Sequence, residues 1–270
     1  GGAAGMMAAG RASERGRRVL LLEKNPQLGE KIVISGGGRC NITNAEFDVH
    51  VLLKNYGTAA SFLYSPFSQF GVQDTFDFFQ SRGLPLIIEE GNRAFPKTER
   101  AGDVFRVLEK YLHDTRVVIK TGVIVSKVDR EGETLTGVSV GNSHFRADAL
   151  ILATGGMSHP ETGSTGDGFN WLRNIGHTVH DPTPSIVPLS VAEKNIKNLA
   201  GVSIPQATIT FFLKGKKQFS KKGPLLFTHF GISGPVVLNS AAQVGDLLHA
   251  GAVTATIDSR PELDRQVLDA

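Results

Sequence analysis

The stretches Gly1-Gly2-Ala3-Ala4-Gly5 and Val19-Leu20-Leu21-Leu22-Glu23 decide the fold. Gly2 and Gly5 fit the second and third glycines of a dinucleotide-binding turn of the form G-x-G-x-x-G. A bare second glycine lets the backbone approach a pyrophosphate, and the third lets helix and strand lie close together. Ala4 to Glu14, rich in Ala and Met, predicts the helix whose N-terminus would face that anion, with Gly16 as its stop. The apolar run 19–22 reads as a strand covered on both faces. It ends at Glu23, 21 residues beyond Gly2. An acid at that distance accepts hydrogen bonds from a ribose and repels a 2′-phosphate, which favours FAD or NAD over NADP. Turn, helix, strand and acid together predict an α/β, Rossmann-like dinucleotide domain. The strand and glycine that open the full motif are not in the sequence, so the expectation is a piece of a longer protein.

Composition is that of an ordinary globular chain, with 40% apolar residues, 20% charged residues and a net charge of +3 over 270 residues. No apolar run approaches the roughly 18–20 residues that span a bilayer, so no membrane partner is expected. Cys40 is the single cysteine; it excludes an internal disulfide framework and makes a reducing cytoplasm the simplest location. The most basic stretch, Lys214, Lys216, Lys217, Lys221 and Lys222, reads as a solvated hairpin in preference to a nucleic-acid patch, because it carries turn glycines and few aromatics. Nucleic acid is therefore not the expected partner, and no Cys/His/acid cluster has metal-ligand spacing.

A second glycine-rich stretch runs from Gly29 to Asn44, with Gly36-Gly37-Gly38 followed by Arg39, Cys40 and Asn41. Three glycines permit backbone geometry closed to other residues. Their N–H groups and the Arg39 guanidinium suit a phosphate or the edge of a flavin ring; the alternative is a connector. Cys40 is either a redox thiol or a small residue against the cofactor, and no CxxC partner accompanies it.

Residues 59–113 predict helices around a short strand, Leu86 to Glu89, and an exposed turn over 91–96. From Arg116 the period changes to two, which predicts strands at 116–120, 122–129, 135–140 and 144–147. A buried return strand, Ala149 to Ala153, leads into Thr154-Gly155-Gly156, at the carboxyl edge where open α/β sheets bind ligands. Gly163-Ser164-Thr165-Gly166-Asp167-Gly168 then opens a short helix. Prolines beyond Pro182 mark a change of texture and a boundary near 183–188. After it come β-like runs at 207–213 and 253–257 and a helix from Val236 to Leu248. His159 and His229 sit in loops and are general-base candidates, each weighed against a structural role. The sequence identifies no catalytic acid or base.

Taken together, GGAAG, LLLEKN, KIVISGGGRCNITN, LATGG, HPETGSTGDGF and LLFTHFGISGP resemble the YhiN/BaiN-type flavoproteins, NAD(P)/FAD-dependent oxidoreductases that include aminoacetone oxidase. The resemblance implies an FAD-binding domain over 1–186 and part of a β-rich insert domain over 187–270. It implies that Gly2, Ala3, Ala4 and Gly5 meet the FAD pyrophosphate, that Glu23 meets the adenosine ribose and that Lys24 next to it is among the cofactor-binding residues. Gly38, Arg39, Cys40 and Asn41 would lie along the cofactor, Val123 would contact adenine, and Thr154 and Gly155 would form a second flavin turn. The implied function is hydride transfer between a small-molecule substrate (an amine, or NAD(P)H as donor) and flavin N5. A flavin-dependent RNA-modifying protein is the other reading. The resemblance also places the first strand and a C-terminal return segment outside these residues, and the 270-residue stretch by itself is expected to be inactive.

Overall fold

The computed structural model describes residues 1–263. The chain forms two compact units, Gly1–His180 and Asp181–Ala270, the break falling a few residues before the one expected from the prolines.

The first unit begins with helix α1, Ala3–Glu14, which starts directly after Gly2 and ends in a left-handed Gly16 (φ 78°). Strand β1, Leu20–Leu22, pairs in parallel with β5, Val118–Lys120. Between them come α2 (Glu30–Gly38), β2 (Thr43–Asn44), α3 (Val49–Lys54), α4 (Ala60–Gln69), α5 (Val72–Gln80), β3 (Leu86–Glu89), β4 (Arg93–Pro96) and α6 (Ala101–Asp114). The strands β2, β4 and β3 form a small antiparallel sheet in that order. The expected turn over 91–96 is therefore largely strand, and Ala94, Phe95 and Pro96 are buried.

Helix α6 shows why this unit holds together. Ala101, Val104, Leu108, Tyr111 and Leu112 recur at helical spacing and are all buried. They share a core with Met6 and Ala9 of α1 and with Phe78 and Phe79 of α5. Where α1 crosses α6, a Cβ on Gly10 would overlap the Tyr111 ring, so the glycine sets how closely the helices approach. Asp103, buried in the first turn of α6, pairs with Arg106 and Arg100 and complements the helix dipole. Asp48 caps α3, its Oδ1 accepting from the His50 N–H at 2.8 Å.

A meander follows: β6 (Lys127–Glu131), β7 (Thr134–Val140) and β8 (Ser143–Arg146). The strand expected from Gly122 begins only at Lys127. The segment 149–153, expected as a buried strand, makes no ladder with another strand among the described residues, and Ile151 is 64% exposed. Its apolar sequence is that of a central strand, but an extended segment becomes a strand only when both N–H and C=O rows find neighbours. It still runs alongside α1, since a Cβ built on Gly5 would lie 3.4 Å from the Ala153 Cβ. Helix α7, Asp167–Asn174, closes the unit.

The second unit is a five-stranded antiparallel sheet in the order β13-β10-β11-β12-β9. Its strands are β9 (Leu189–Ser190), β10 (Ser203–Leu213), β11 (Lys216–Phe227), β12 (Gly231–Ser233) and β13 (Val253–Asp258). Lys214 and Gly215 join β10 to β11 with φ of 49° and 76°, the two left-handed residues of a type I′ hairpin turn. One face of the sheet buries Ala207, Ile209, Phe211 and Leu225 with Val236, Val237 and Val244. The latter three belong to α8 (Pro235–Leu238) and α9 (Ala241–Ala250). The single helix expected over 236–248 is broken at Asn239–Ser240. There the Ser240 hydroxyl turns back to donate to the Val236 carbonyl at 2.7 Å.

Candidate functional site

A cleft of about 1860 Å³ in the first unit is lined by the α1 N-terminus, β1, the loops that follow them and the segment 147–156. Gly2 is the N-cap of α1, extended (φ −82°, ψ −173°) and without a side-chain cap. The first intrahelical bond runs from the Met6 N–H to the Gly2 carbonyl at 2.9 Å. The N–H groups of Ala3, Ala4 and Gly5 thus lack intrahelical acceptors and supply the positive end of the helix dipole. A Cβ built on Gly2 meets nothing within 4 Å. The cradle is open space beside unpaired donors, which is what an incoming phosphate requires.

Glu23 follows β1 at the same edge. Its Oε1 accepts from the Asn25 N–H at 2.8 Å, and its Oε2 lies 2.7 Å from the Gly1 nitrogen. The Val123 N–H donates to the Glu23 carbonyl at 2.9 Å, continuing the β1–β5 pairing beyond the strands and bringing Val123 to the acid. The cleft is therefore lined by the expected residues Gly2, Ala3, Ala4, Gly5, Glu23, Lys24, Cys40, Asn41, Val123, Thr154 and Gly155.

Gly38 and Arg39 are placed differently and do not line the cleft. Helix α2 gives way at Ser35, and Gly36, Gly37 and Gly38 all take positive φ (56°, 66° and 86°). A Cβ on Gly36 would come within 2.9 Å of the Asn41 nitrogen, so this reversal needs glycine. Cys40, also left-handed at φ 62°, donates its N–H to the Ser35 carbonyl at 3.0 Å. The turn sends Arg39 the other way. Its guanidinium stacks on Phe95, 4.2 Å from the ring centre, and pairs with Glu89 and with Glu99 at 2.9 Å. The Arg39 pairing holds the Glu89 carboxyl below its ordinary range. Burial pushes the Cys40 thiol up, so the neutral form dominates at neutral pH.

Lys31 and Asn25, which the sequence did not single out, and Lys24, which it did, join the two glycine turns. Lys31 Nζ donates to the Ser158 carbonyl at 2.6 Å and to the buried Ser164 hydroxyl at 2.5 Å. Asn25 Nδ2 donates to the Thr162 carbonyl at 3.0 Å. Lys24 Nζ reaches Thr165 Oγ1 at 2.5 Å and Asp167 Oδ2 at 2.7 Å. Gly155 (φ 72°) sits under Ser164, whose hydroxyl would be 2.8 Å from an added Cβ. The Gly-Ser-Thr-Gly-Asp-Gly run was the available signal, since hydroxyls and an acid between glycines suit capture of a lysine. His159 pairs with Glu161 at 2.7 Å on the exposed surface, and His229 packs edge-on against Phe230 in the second unit.

The HI0933-like protein Rossmann domain matches residues 1–255. The chain belongs to that family. Proteins similar to it include the 3-dehydro-bile acid delta(4,6)-reductase of Clostridium scindens, 31% identical over 98% of this chain and 64% of that one. The ribosomal RNA dihydrouridine synthase of Haemophilus influenzae is 31% identical over 88% of this chain and 58% of the other. The synthase of the same description from Escherichia coli is 30% identical with the same coverage. The chain thus spans about six-tenths of the length of these relatives. Among solved structures, the open conformation of a flavocytochrome c3 fumarate reductase superposes with a TM-score of 0.53 at 18% identity, covering 75% of this chain and 45% of that one. The fold is an α/β FAD-binding domain of flavoenzyme type with an antiparallel sheet, and the family is one of FAD-dependent oxidoreductases. No helix among the described residues is long and apolar enough to cross a membrane. Two relatives act on ribosomal RNA, which reopens the question of a nucleic-acid partner.

Proposed function

We propose that this chain holds FAD for a reductase that saturates a carbon–carbon double bond conjugated to a carbonyl, with NAD(P)H as electron donor. The observation that carries the cofactor assignment is the open Gly2 cradle facing unpaired helix N–H groups, with the Glu23 carboxylate at the same edge. The donors suit a pyrophosphate and the acid suits a ribose diol, so the residues present fit FAD. Bound there, FAD supplies a carrier that accepts two electrons from one partner and yields them to another.

The chain's own residues bind and orient. Ala3, Ala4 and Gly5 offer N–H groups to the pyrophosphate, and Glu23 rejects a phosphorylated ribose. Lys24, Asn25 and Lys31 hold the 158–167 loop against the first turn, fixing Thr154 and Gly155 at the cleft. The double-bond substrate class is supported by the two relatives' activities. A delta(4,6)-reductase acting on a 3-oxo steroid and a dihydrouridine synthase both add hydrogen across a C=C bond conjugated to a carbonyl. That chemistry favours an enone-type acceptor over an amine.

Anaerobic mixing tests the reading. NADH or NADPH should bleach the bound flavin, and a 3-oxo-4-ene steroid or a uridine-containing RNA should restore its colour. Bleaching by an amine, with no reoxidation by either acceptor, would overturn it.

A further inference from the structure

In the second unit the helices α8 and α9 cover one face of the sheet β13–β10–β11, and the side chains of the other face are half-exposed or exposed among the described residues. The cross-strand register defines that face. Thr208 of β10 stands between Asp258 of β13 and Lys222 of β11. Thr210 stands between Thr256 and Ser220, and its hydroxyl is 2.8 Å from that of Ser220. Phe212 stands between Thr254 and Lys217. A register shift after Phe211 makes the last row possible. Without that bulge, Phe212 would face Gln218 and Lys217 would point to the covered side.

The bulge thus sets Lys217 and Lys222 on one face with a half-exposed aromatic ring and a row of hydroxyls, and the Lys214-Gly215 turn extends the positive edge. Lys214, Lys216, Lys217 and Lys222 are exposed, and none makes an ion pair among the described residues. The carboxylate on the face belongs to Asp258, two strands across from Lys222. Four uncompensated ammonium groups, hydroxyl donors and one ring available for stacking are complementary to a polyanion that carries flat bases.

We infer that this face and its turn dock the phosphate backbone of single-stranded RNA, with Phe212 as a stacking platform. The inference rests on the reductase reading and adds to it a surface, outside the FAD cleft lining, on which an RNA would be held. The face against α8 and α9 is apolar, whereas Lys217 and Lys222 stand exposed on the other.

The test uses the full-length protein, a fluorescently labelled uridine-rich RNA oligomer and anisotropy between 50 and 200 mM salt. Four phosphate contacts on a single strand give a slope of log K on log salt of about −2.8, or about 50-fold weaker binding across that range. In Lys217→Gln/Lys222→Gln the slope should flatten by about 1.4, with flavin content and enone reduction unchanged. Phe212→Leu should weaken binding at every salt concentration without altering the slope. Absence of RNA binding at 50 mM salt, an unchanged slope in the double variant, or binding of anionic phosphatidylglycerol vesicles in place of RNA would each overturn the inference. Failure of the reductase reading looks different, because RNA would bind with the expected slope while neither steroid nor RNA reoxidised the flavin.

Discussion

Lys24 Nζ lies 2.7 Å from Asp167 Oδ2. The lysine follows β1 and the aspartate opens α7, so this contact joins the first ligand turn to the second across 143 residues of chain. The hydrogen bond from Lys24 holds the Asp167 carboxyl below its ordinary range. A depressed carboxyl contributes above its unfolded pKa, and the contribution is lost as pH falls through the lower folded value. Flavin should therefore be held at neutral pH and released in acid. Asp167→Asn should weaken FAD binding roughly fivefold, about 1 kcal/mol, and blunt the acid release, as read by flavin fluorescence. Equal affinity and an unchanged acid profile would refute the clamp.

Gly10 and Tyr111 make a second testable contact. Because a Cβ on Gly10 overlaps the ring, Gly10→Ala should destabilise by about 1–3 kcal/mol, as overpacked cores do, despite alanine's better helix propensity. For a protein of this size each kcal/mol lowers Tm by about 2–4 °C, readable by calorimetry. A raised Tm would show that α1 and α6 are further apart than described.

Burial and the Glu14 carboxylate push the Tyr111 phenol up to about 12. Its folded pKa exceeds the unfolded one, so the unfolded chain loses its proton first. Stability from this residue should fall as pH rises from the ordinary value of 10 towards about 12. An ultraviolet titration should show a phenol ionising well above the ordinary value of 10. Tyr111→Phe should remove the late phase.

Cys40 is 8% exposed, and burial raises its thiol pKa. The thiolate is the reactive form, so the native protein should resist iodoacetamide at pH 8 and react fully once denatured. Alkylation of the native protein at the rate of a free thiol would restore the redox reading.

Much of the lining of the candidate cleft was legible because it is built from backbone, and glycines mark where backbone is exposed. That Gly2, Gly5, Gly155 and Glu23 line it could be read from local sequence alone. The side of the chain on which Arg39 lands was not legible. It depends on the Gly36–Gly38 reversal and on Glu89 and Glu99, carboxylates 50 and 60 residues away. The same holds for Lys24 and Lys31, whose partners belong to a distant loop. In the fold, α6 and the β10–β11 hairpin followed from periodicity and turn chemistry. The segment 149–153 did not, because strand formation depends on neighbours that a residue's own type cannot supply. The lysine stretch shows the same limit, since a bulge two residues beyond the turn decides which lysines share a face.

The central claim is that the Gly2 cradle receives FAD, and one measurement tests it most directly. FAD is titrated into the flavin-stripped full-length protein and into Gly2→Ala, with Tm followed in both. A Cβ at Gly2 touches no protein atom but occupies the space a pyrophosphate needs. The account predicts stoichiometric FAD binding by the natural protein and, in Gly2→Ala, an unchanged apo Tm with affinity reduced about tenfold or more, 1.4 kcal/mol or greater. A folded natural protein that binds no FAD, or equal affinity in the two proteins, would contradict it.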